Sequence, residues 1–328
     1  MSNINVFVSR DIPEIGLRLL REAGFTVTVW PHPRPMTQEE LIDAAMQNDA
    51  LLSMLADKID ATFLNACRHL DIISQFAVGY DNIDVPEATR LGIPIGNTPD
   101  VLSDATADVA FGLMIAVARK MFYMHNIIAR GEWGHFKPKG HLGFELKNKT
   151  LGIFGLGKIG FEMAKRCKGA YNMEVLYCNR HPNAAAETAL GARLVSFDEL
   201  LAKSDVLSAH CALSAETKGI FDKAAFSKMK PSAIFINTAQ GGVHHEPDLL
   251  EALRAGVLWG AGLDVTNPEP MAPDNPLLSM ENVAVLPHIG SATIEARDGM
   301  SRLAAENILG YYANKVIPHL VNPEALQP

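Results

Sequence analysis

Residues 150–166 read TLGIFGLGKIGFEMAKR, and this stretch decides the fold. The run Leu151–Phe154 is apolar without interruption, which is typical of a strand buried on both faces of a parallel sheet. It leads into Gly155, Gly157 and Gly160, spaced as GxGxxG, and then into a helical pattern. In such a turn the first glycine permits a tight bend, the second lets the backbone approach a pyrophosphate, and the third lets helix and strand pack closely. The stretch therefore predicts a strand, a phosphate-binding loop and a helix.

The next predicted strand, EVLYCNRHP, bears on which dinucleotide this loop binds. A carboxylate at the end of that strand would hold the ribose 2′-hydroxyl of NAD, but the strand ends in Asn179, Arg180 and His181. A guanidinium can pair with the 2′-phosphate of NADP, which a carboxylate would repel. The motif favours NADP; the alternative is that Arg180 is merely solvated and NAD also binds. The loop residues expected to contact the cofactor are Gly155, Leu156, Gly157, Lys158, Ile159 and Gly160.

Length and composition set broad limits on the class of protein. The chain has 328 residues, enough for two domains of roughly 150 residues each. A net charge of −8 argues against a nucleic-acid surface, which needs a basic stripe. The longest apolar run, Val109–Ala118, is too short to cross a bilayer, and the N-terminus lacks a signal-peptide pattern. The four cysteines show no CxxC spacing and indicate buried, reduced thiols. We therefore expect a cytoplasmic protein that contacts no membrane.

Short apolar runs alternate with helical patterns along the whole chain, which predicts an α/β fold with parallel sheets. The first series of strand candidates is Val6–Ser9, Thr26–Trp30, Ala50–Leu55, Ile72–Ala77 and Ile93–Asn97. The second series is Thr150–Phe154, Glu174–Cys178, Arg193–Val195, Val206–His210, Ala233–Asn237, Gly260–Asp264 and Val283–Pro287. A long helix is expected over Ser103–Met124 and a closing helix over Thr293–Ala313. Two strand series predict two domains.

The glycine loop lies in the second series, so the second domain is expected to bind the nucleotide. The turn signal NTPD at Asn97–Asp100 indicates a boundary. The closing helix has no strand partner of its own and is expected to return to the first domain. We therefore expect a substrate domain formed by residues 1–99 and 290–328, and a nucleotide-binding domain over 100–289. In such folds the substrate lies outside the carboxyl ends of the strands, here in an interdomain cleft.

Polar side chains follow three predicted strands of the second series. Gln240 follows one strand, Asp264 and Glu269 follow the next, and His288 follows the third. A carboxylate hydrogen-bonded to an imidazole fixes its tautomer and stabilises its charged form, as a proton donor to a carbonyl requires. The alternative for a single histidine on such a turn is a structural role. The acid on the neighbouring loop favours a catalytic pair of His288 and Glu269.

Four motifs occur in an order and spacing that resemble those of the D-isomer-specific 2-hydroxyacid dehydrogenases. They are GLGKIG, INTAQGG, GLDVTNPEP and LPHIGSAT. In the first domain, SQFAVGYDNIDV and GIPIGNTPDVLSDATADVAFGLMIAVAR also match the family, so the resemblance covers essentially the whole chain. The segments ALLSML, TPDVLSDATAD, KPKG and LDVTNPEPM are most similar to the glyoxylate/hydroxypyruvate reductases of this family. Those enzymes commonly prefer NADPH, in agreement with the Asn179–Arg180 pattern.

The resemblance implies two Rossmann-like/flavodoxin-like domains, and it assigns roles to residues of this chain. His288 would donate a proton to the keto oxygen, and Glu269 would keep His288 protonated. The backbone amides of Val78 and Gly79 would bind the substrate carboxylate, with Leu55 on the loop above it. Other substrate contacts would come from Gln240, His288 and Ser291. Further cofactor contacts would come from Cys211, Ala212, Thr238, Asp264, His288 and Gly290. The resemblance also implies a homodimer formed around the long helix.

One position departs from the family pattern, which has arginine where this chain has Gln240. The arginine normally binds the substrate carboxylate and polarises the keto group through two parallel charge-assisted hydrogen bonds. Three explanations remain open. Gln240 is an engineered substitution in an otherwise active reductase, or a natural change suited to a neutral or sugar-like substrate such as 2-ketogluconate. In the third, the chain is an NADP(H)-sensing pseudoenzyme that acts by binding, as corepressors of this fold do.

Two further features fall outside these motifs. His244 and His245 stand beside Glu246, but adjacent histidines rarely share one metal ion, so we expect no metal and a surface patch at a helix start. The segment GEWGHFKPKGH, within residues 131–145, predicts an extended loop that covers the site or reaches a partner subunit. The pattern does not select between glyoxylate, hydroxypyruvate and a longer keto acid as the substrate.

Overall fold

The computed structural model of the protein describes residues 4–327, which form two compact units. Unit 1 is built from two separate segments of the chain, the residues up to Leu102 and those from Ala292 onward. Unit 2 is the continuous segment Ser103–Ser291. Each unit contains one parallel sheet flanked by helices, so the predicted α/β class with parallel sheets is confirmed.

Unit 1 contains a five-stranded parallel sheet in the order β2-β1-β3-β4-β5. Its strands are β1 (Asn5–Val8), β2 (Thr26–Val29), β3 (Ala50–Ser53), β4 (Ile72–Gln75) and β5 (Ile95–Gly96). Its first four helices are α1 (Glu14–Glu22), α2 (Gln38–Ala45), α3 (Ala61–Ala66) and α4 (Val85–Arg90). Strands β1, β3 and β4 are almost entirely buried, as the apolar runs predicted.

The closing helix, α12 (Ile294–Asn314), belongs to unit 1 and packs against α1 and β4. The side chain of Thr293 caps its first turn by accepting a hydrogen bond from the N–H of Ala296 at 3.1 Å. Asn307, on the buried face of α12, donates to the carbonyl of Asn97 at 2.9 Å. The C-terminal helix is thereby fixed to the loop that follows β5.

Unit 2 contains a seven-stranded parallel sheet in the order β12-β11-β10-β9-β6-β7-β8. Its strands are β6 (Thr150–Phe154), β7 (Glu174–Cys178), β8 (Arg193–Leu194), β9 (Val206–Ala209), β10 (Ile234–Asn237), β11 (Gly260–Leu263) and β12 (Val283–Val285). The strand order reverses between β6 and β9, so the carboxyl ends of these two strands flank the crevice where parallel sheets of this kind bind ligands. The glycine loop follows β6 and therefore lies at this switch point.

The predicted single helix over Ser103–Met124 is wrong: the structure has two helices there, α5 (Ser103–Ala118) and α6 (Met121–Ala129). The break has a tertiary cause. The carbonyl of Ala118 accepts the N–H of Phe144 at 3.3 Å, and Lys120 adopts a left-handed φ of 54°. The ammonium of Lys120 then pairs with Glu281 at 2.7 Å. Arg119 and Lys120 end the apolar run here, but both residue types are favourable in helices, so the sequence alone does not predict a break at this point.

The remaining α-helices of unit 2 connect successive strands of its sheet. They are α7 (Lys158–Tyr171), α8 (Ala184–Leu190), α9 (Phe197–Lys203), α10 (Lys223–Ser227) and α11 (Glu246–Arg254). Among the described residues, no helix is both long and apolar enough to span a bilayer.

Candidate active site

The glycine loop has the geometry of a phosphate cradle. Gly155 has a φ of 95°, and a Cβ on it would lie 2.6 Å from the amide nitrogen of Cys211, so only glycine fits there. A Cβ on Gly160 would lie 2.8 Å from the carbonyl oxygen of Gly155. A Cβ on Gly157 would have no atom within 4 Å, so the outer side of the loop is open.

The first turn of α7 presents backbone donors to this open side. Gly157 occupies the N-cap position and supplies no capping side chain. Within residues 4–327, no acceptor binds the N–H groups of Ile159 and Gly160. Unpaired donors at a helix start, together with the helix dipole, attract anions such as a pyrophosphate. The residues present therefore fit a dinucleotide.

Asn179 holds the glycine loop in place with its carboxamide. Its Oδ1 accepts the N–H of Leu156 at 2.6 Å, and its Nδ2 lies 3.3 Å from the carbonyl of the same residue. Asn183 donates to that carbonyl as well, at 2.9 Å. Arg180 and His181 lie between these two asparagines with their side chains exposed. After β7, therefore, the two asparagines fix the glycine loop, whereas Arg180 and His181 face solvent.

The carboxyl end of β9 lies beside the glycine loop and carries a half-buried histidine, His210. His210 accepts or donates hydrogen bonds at both ring nitrogens, with Ser208 at 2.8 Å and Thr238 at 3.4 Å. Burial lowers the pKa of His210 to about 3, so its ring is neutral at physiological pH. Burial also raises the pKa of the Cys211 thiol to about 11. Cys211 is half-buried and Ala212 is exposed.

Asn237, the last residue of β10, shapes the loop that carries Gln240. Its Oδ1 accepts the N–H of Ala239 at 2.9 Å, and its Nδ2 donates to the carbonyl of Gln240 at 2.9 Å. The same carbonyl accepts the N–H of Val243 at 3.1 Å. The backbone of Gln240 is thus fixed on the loop. Its half-buried side chain forms no hydrogen bond with any residue in the range 4–327.

His244 is buried, so the expected surface patch is wrong for this residue, although His245 is exposed. The Nδ1 of His244 lies 3.0 Å from Nδ2 of Asn237, and its Nε2 has no partner among the described residues. Burial, with a smaller contribution from the charge of His245, lowers the pKa of His244 to about 4. A neutral His244 accepts a hydrogen bond from Asn237, and Asn237 in turn binds the carbonyl of Gln240. His244 therefore supports the loop of Gln240 through Asn237. Nowhere in residues 4–327 do three or more His, Cys, Asp or Glu side chains form a group that could hold a metal ion.

Asp264 fixes the turn that carries His288. Its two carboxylate oxygens accept the N–H groups of Ile289 at 2.8 Å and Gly290 at 2.7 Å. Its carbonyl accepts the N–H of His288 at 2.9 Å. His288 has a left-handed φ of 54°, which costs a non-glycine residue about 1–3 kcal/mol and persists only where the surroundings impose it. The three bonds from Asp264 supply that constraint. Ser291, the next residue after this turn, is half-buried.

His288 and Glu269 form a hydrogen-bonded pair, at the positions that the sequence suggested. Nδ1 of His288 lies 2.6 Å from Oε1 of Glu269. Glu246 supports the loop of Glu269 from outside, because its carboxylate accepts Nδ2 of Asn275 at 2.7 Å and the N–H of Asn267 at 3.3 Å. The arrangement can hold a proton on an imidazole with a fixed tautomer.

In unit 1, the residues named for substrate binding lie on two loops at the carboxyl ends of β3 and β4. Leu55 follows β3, and Val78 and Gly79 follow β4; all three are half-buried. Asn82 joins the two loops by donating to the carbonyls of Met54 at 3.0 Å and of Asp57 at 2.8 Å. This loop pair is therefore anchored within unit 1 itself.

Sequence reasoning missed the residues that hold these loops, including Asn82, Asn237 and Glu246. Asn82 and Asn237 lie inside quoted motifs, and Glu246 follows one. The roles of Asn82 and Glu246 depend on partners that only the folded chain brings close. The one available signal for Asn237 was a buried amide at the end of an apolar strand, since such a group needs hydrogen-bond partners.

Known proteins resemble this chain over most of its length. Residues 111–290 match the model of the D-isomer specific 2-hydroxyacid dehydrogenase family, NAD binding domain. A glyoxylate reductase of Thermococcus litoralis is 42% identical over 98% of this chain and 97% of its own length. The chain belongs to the D-isomer specific 2-hydroxyacid dehydrogenases, as the resemblance indicated.

Solved structures of two relatives are also similar. A glyoxylate reductase from Paecilomyes thermophila has a TM-score of 0.88 and 34% identity, covering 99% of both chains. An NADPH-dependent glyoxylate/hydroxypyruvate reductase from Sinorhizobium meliloti, solved with NADP and malonate, has a TM-score of 0.84 and 29% identity; the match covers 99% of this chain and 98% of the other.

Proposed function

We propose that this protein reduces a small 2-keto acid, glyoxylate or hydroxypyruvate, to the D-2-hydroxy acid with NADPH as the reductant. The observation that carries the proposal is the hydrogen bond of 2.6 Å between His288 and Glu269. His288 lies on the turn that Asp264 fixes. The names of the relatives from Thermococcus litoralis and Sinorhizobium meliloti support the same substrate class.

The nucleotide is assigned to the glycine loop and the strand ends beside it. The amides at the start of α7 would bind the pyrophosphate, with Gly155, Leu156, Gly157, Lys158, Ile159 and Gly160 forming the loop. Arg180 and His181 would face the 2′-phosphate, while Asn179 acts through its bonds to Leu156. Cys211, Ala212, Thr238, Asp264 and Gly290 would complete the cofactor contacts. When bound, the nicotinamide supplies the hydride that reduces the keto carbon.

His288 is assigned the proton transfer. Because Glu269 occupies Nδ1, the ring can exchange a proton with the keto oxygen through Nε2, and the product hydroxyl then carries that proton. In the reverse direction the neutral ring takes the proton back. Glu269 orients the ring and stabilises its positive charge, and it touches no substrate atom in this scheme.

The substrate carboxylate is assigned to the amides of Val78 and Gly79, with Leu55 providing an apolar contact and Ser291 a polar one. Gln240 takes the place of the family's arginine. A neutral carboxamide does not supply the charge-assisted fork that holds a carboxylate and polarises a carbonyl. We infer that turnover is impaired, since the loss of one electrostatic donor of this kind typically lowers the rate by ~10²–10³.

A panel of 2-keto acids, assayed with NADPH and with NADH, tests the proposal. We expect consumption of NADPH with glyoxylate and hydroxypyruvate, and a weaker response with NADH. Faster turnover of 2-ketogluconate than of the small acids would replace the substrate assignment by a sugar acid. An NADH preference of about tenfold or more would overturn the cofactor assignment.

A binding role is the second candidate, and the neutral side chain of Gln240 is the observation that favours it. In that case the chain binds NADP(H) as a sensor, as corepressor-like proteins do, and reduces nothing. Tight NADPH binding without turnover of any keto acid, both in this chain and in the Gln240→Arg variant, would establish the sensor.

We further propose that two copies associate through α6 and the segment that follows it. No residue of α6 is buried, although the helix is largely apolar. Its exposed apolar side chains continue into residues 131–145, where Trp133 is 70% exposed and Phe136 85% exposed. Contiguous exposed apolar surface of this kind marks an interface. Light scattering should give a dimer mass for the native chain and a monomer mass for Ile128→Asp; a native monomer would refute the assignment.

A further inference from the structure

The loop that follows β4 holds three consecutive peptide units in fixed orientations. Each of its carbonyls, from Ala77 to Gly79, accepts a hydrogen bond from the body of unit 1. The donors are the N–H of Thr98 at 2.9 Å to Ala77, Nδ2 of Asn97 at 2.9 Å to Val78, and Nε2 of Gln75 at 3.4 Å to Gly79. The first two are of ordinary length and the third is at the long limit for a hydrogen bond.

The carbonyl bonds determine where the amides point. In a planar trans peptide, the C=O and the following N–H lie on opposite sides of the chain. Because the carbonyls of Ala77, Val78 and Gly79 face the body of unit 1, the N–H groups of Val78, Gly79 and Tyr80 face away from it. No hydrogen bond joins any of these three N–H groups to another residue in the range 4–327. Successive outward amides of this kind form a concave binding site for anions.

The two side-chain donors are themselves held in place. The N–H of Asn97 donates to the carbonyl of His319 at 3.1 Å, so its backbone does not depend on its side chain. Gln75 is fully buried, and its Oε1 accepts the hydroxyl of Ser53 at 2.6 Å. Its Nε2 also donates to Oδ1 of Asn82 at 2.8 Å. Both carboxamides therefore reach the loop in one orientation.

We propose that Asn97 and Gln75 are positioning residues for the substrate carboxylate, and that the N–H of Tyr80 is a third donor beside those of Val78 and Gly79. Three charge-assisted hydrogen bonds from backbone amides bind a carboxylate without any cationic side chain. The inference deepens the proposed function and rests on it, because it takes the bound anion to be the carboxylate of the 2-keto acid.

The test uses the full chain with oxalate as the probe, a dicarboxylate that cannot be reduced. In a ¹⁵N-labelled, deuterated sample, the amide signals of Val78, Gly79 and Tyr80 should all shift downfield as oxalate is added. Asn97→Ala should weaken oxalate binding on the order of tenfold, because the Val78 carbonyl is no longer held and the Gly79 N–H loses its direction. The KM for the keto acid should rise by a similar factor, while the KM for NADPH stays unchanged.

Asn322→Ala is the matched control. Asn322 is a buried asparagine of unit 1 whose side chain, like that of Asn97, binds backbone groups, here at Ile93 and Ile95, but it makes no bond to this loop. It should lower the melting temperature and leave oxalate binding unchanged. Asn97→Ser, which keeps a donor, should recover part of the lost affinity. If the Tyr80 amide signal does not shift when oxalate is added, the N–H of Tyr80 is not a third donor. If Asn97→Ala binds oxalate with native affinity, Asn97 has no positioning role. Oxalate binding that follows this pattern without turnover of any keto acid would refute only the proposed function.

Discussion

Nδ1 of His288 and Oε1 of Glu269 lie 2.6 Å apart, and both side chains remain partly exposed, at 33% and 41%. The pair is thus close enough for a charge-assisted hydrogen bond and accessible enough to meet a substrate. The loops of both residues are held by acids that do not take part in the pair, Asp264 for His288 and Glu246 for Glu269.

Removing the proposed proton donor, His288, should nearly abolish turnover. His288→Gln keeps a polar side chain but cannot transfer a proton at neutral pH, so kcat should fall by ~10²–10⁴. Glu269→Gln retains a hydrogen-bond acceptor without the charge, and Glu269→Ala retains neither. We therefore expect kcat to decrease in the order native, Glu269→Gln, Glu269→Ala, with His288→Gln lowest. Steady-state assays with glyoxylate would measure this, and equal rates for the two Glu269 variants would argue against an electrostatic role for that carboxylate.

Introducing a cation at position 240 should raise activity. Gln240→Arg supplies the bidentate donor that the family uses, so kcat/KM for glyoxylate should rise by at least ~10². Gln240→Met, a neutral side chain of similar length, controls for the effect of shape and should give no gain. An unchanged rate in the arginine variant would show that this chain was not adapted to the same chemistry, and would favour a different substrate or the sensor.

The cofactor assignment predicts a selective effect at Arg180. Arg180→Ala should raise the KM for NADPH about tenfold or more and leave the KM for NADH unchanged, because only NADPH carries the 2′-phosphate. Arg254→Ala, which removes another exposed arginine of unit 2, should change neither constant. If Arg180→Ala raises the KM for NADPH and for NADH by the same factor, the residue supports the loop and does not bind the 2′-phosphate.

Buried His244 predicts a loss of stability in acid. Its folded pKa of about 4 lies below the ordinary 6.5, so the unfolded chain binds more protons between these values. The stabilisation is complete above pH 6.5 and is lost as the pH falls toward 4, on the order of 2–3 kcal/mol for one such group. His244→Gln can still accept from Asn237 without titrating, so its unfolding free energy should fall less across this window. Urea unfolding from pH 7.5 to 4.5 measures the difference, and parallel curves would contradict the prediction.

Asp264 should matter for both stability and rate. Asp264→Asn leaves one acceptor for two N–H groups, so the turn at His288 loses a charge-assisted bond and relaxes from its left-handed conformation. We expect a loss of about 1–3 kcal/mol in stability and a marked fall in kcat. Asp205→Asn, at another acid of unit 2 that accepts a backbone N–H, is the control and should affect stability alone. A native kcat in Asp264→Asn would mean that the turn is held by other contacts.

Local sequence patterns were sufficient to predict the structure of some segments and insufficient for others. The strand, glycine loop and helix of residues 150–171 follow from hydrophobic periodicity and the conformational needs of Gly155, which are properties of a short segment. The break at Lys120 does not, because Phe144 and Glu281 cause it from far along the chain. Likewise, a histidine next to a helix start looks exposed in the sequence, and only the packing of β10 shows that His244 is buried.

The candidate site divides in the same way. His288, Glu269 and Asp264 could be identified because acids and imidazoles after successive parallel strands converge at one sheet edge. The supporting roles of Asn82, Asn97 and Asn237 could not be identified. Asn82 and Asn97 act on the backbone of loops that are distant in sequence, and Asn237 acts within its own loop through a side-chain direction that the sequence does not show. Asparagine is common in loops for many reasons, so its type alone carries no such information.

The hydrogen bonds of Asn179 to Leu156 have a consequence for how this chain can evolve. Asn179 is committed to the architecture of the loop, whereas its exposed neighbour Arg180 makes no hydrogen bond to that loop. If Arg180 contacts the 2′-phosphate as proposed, recognition of the nucleotide and integrity of the fold are encoded at adjacent but independent positions. Under that assignment, a change of electron carrier through substitution of Arg180 would leave the hydrogen bonds of the loop intact.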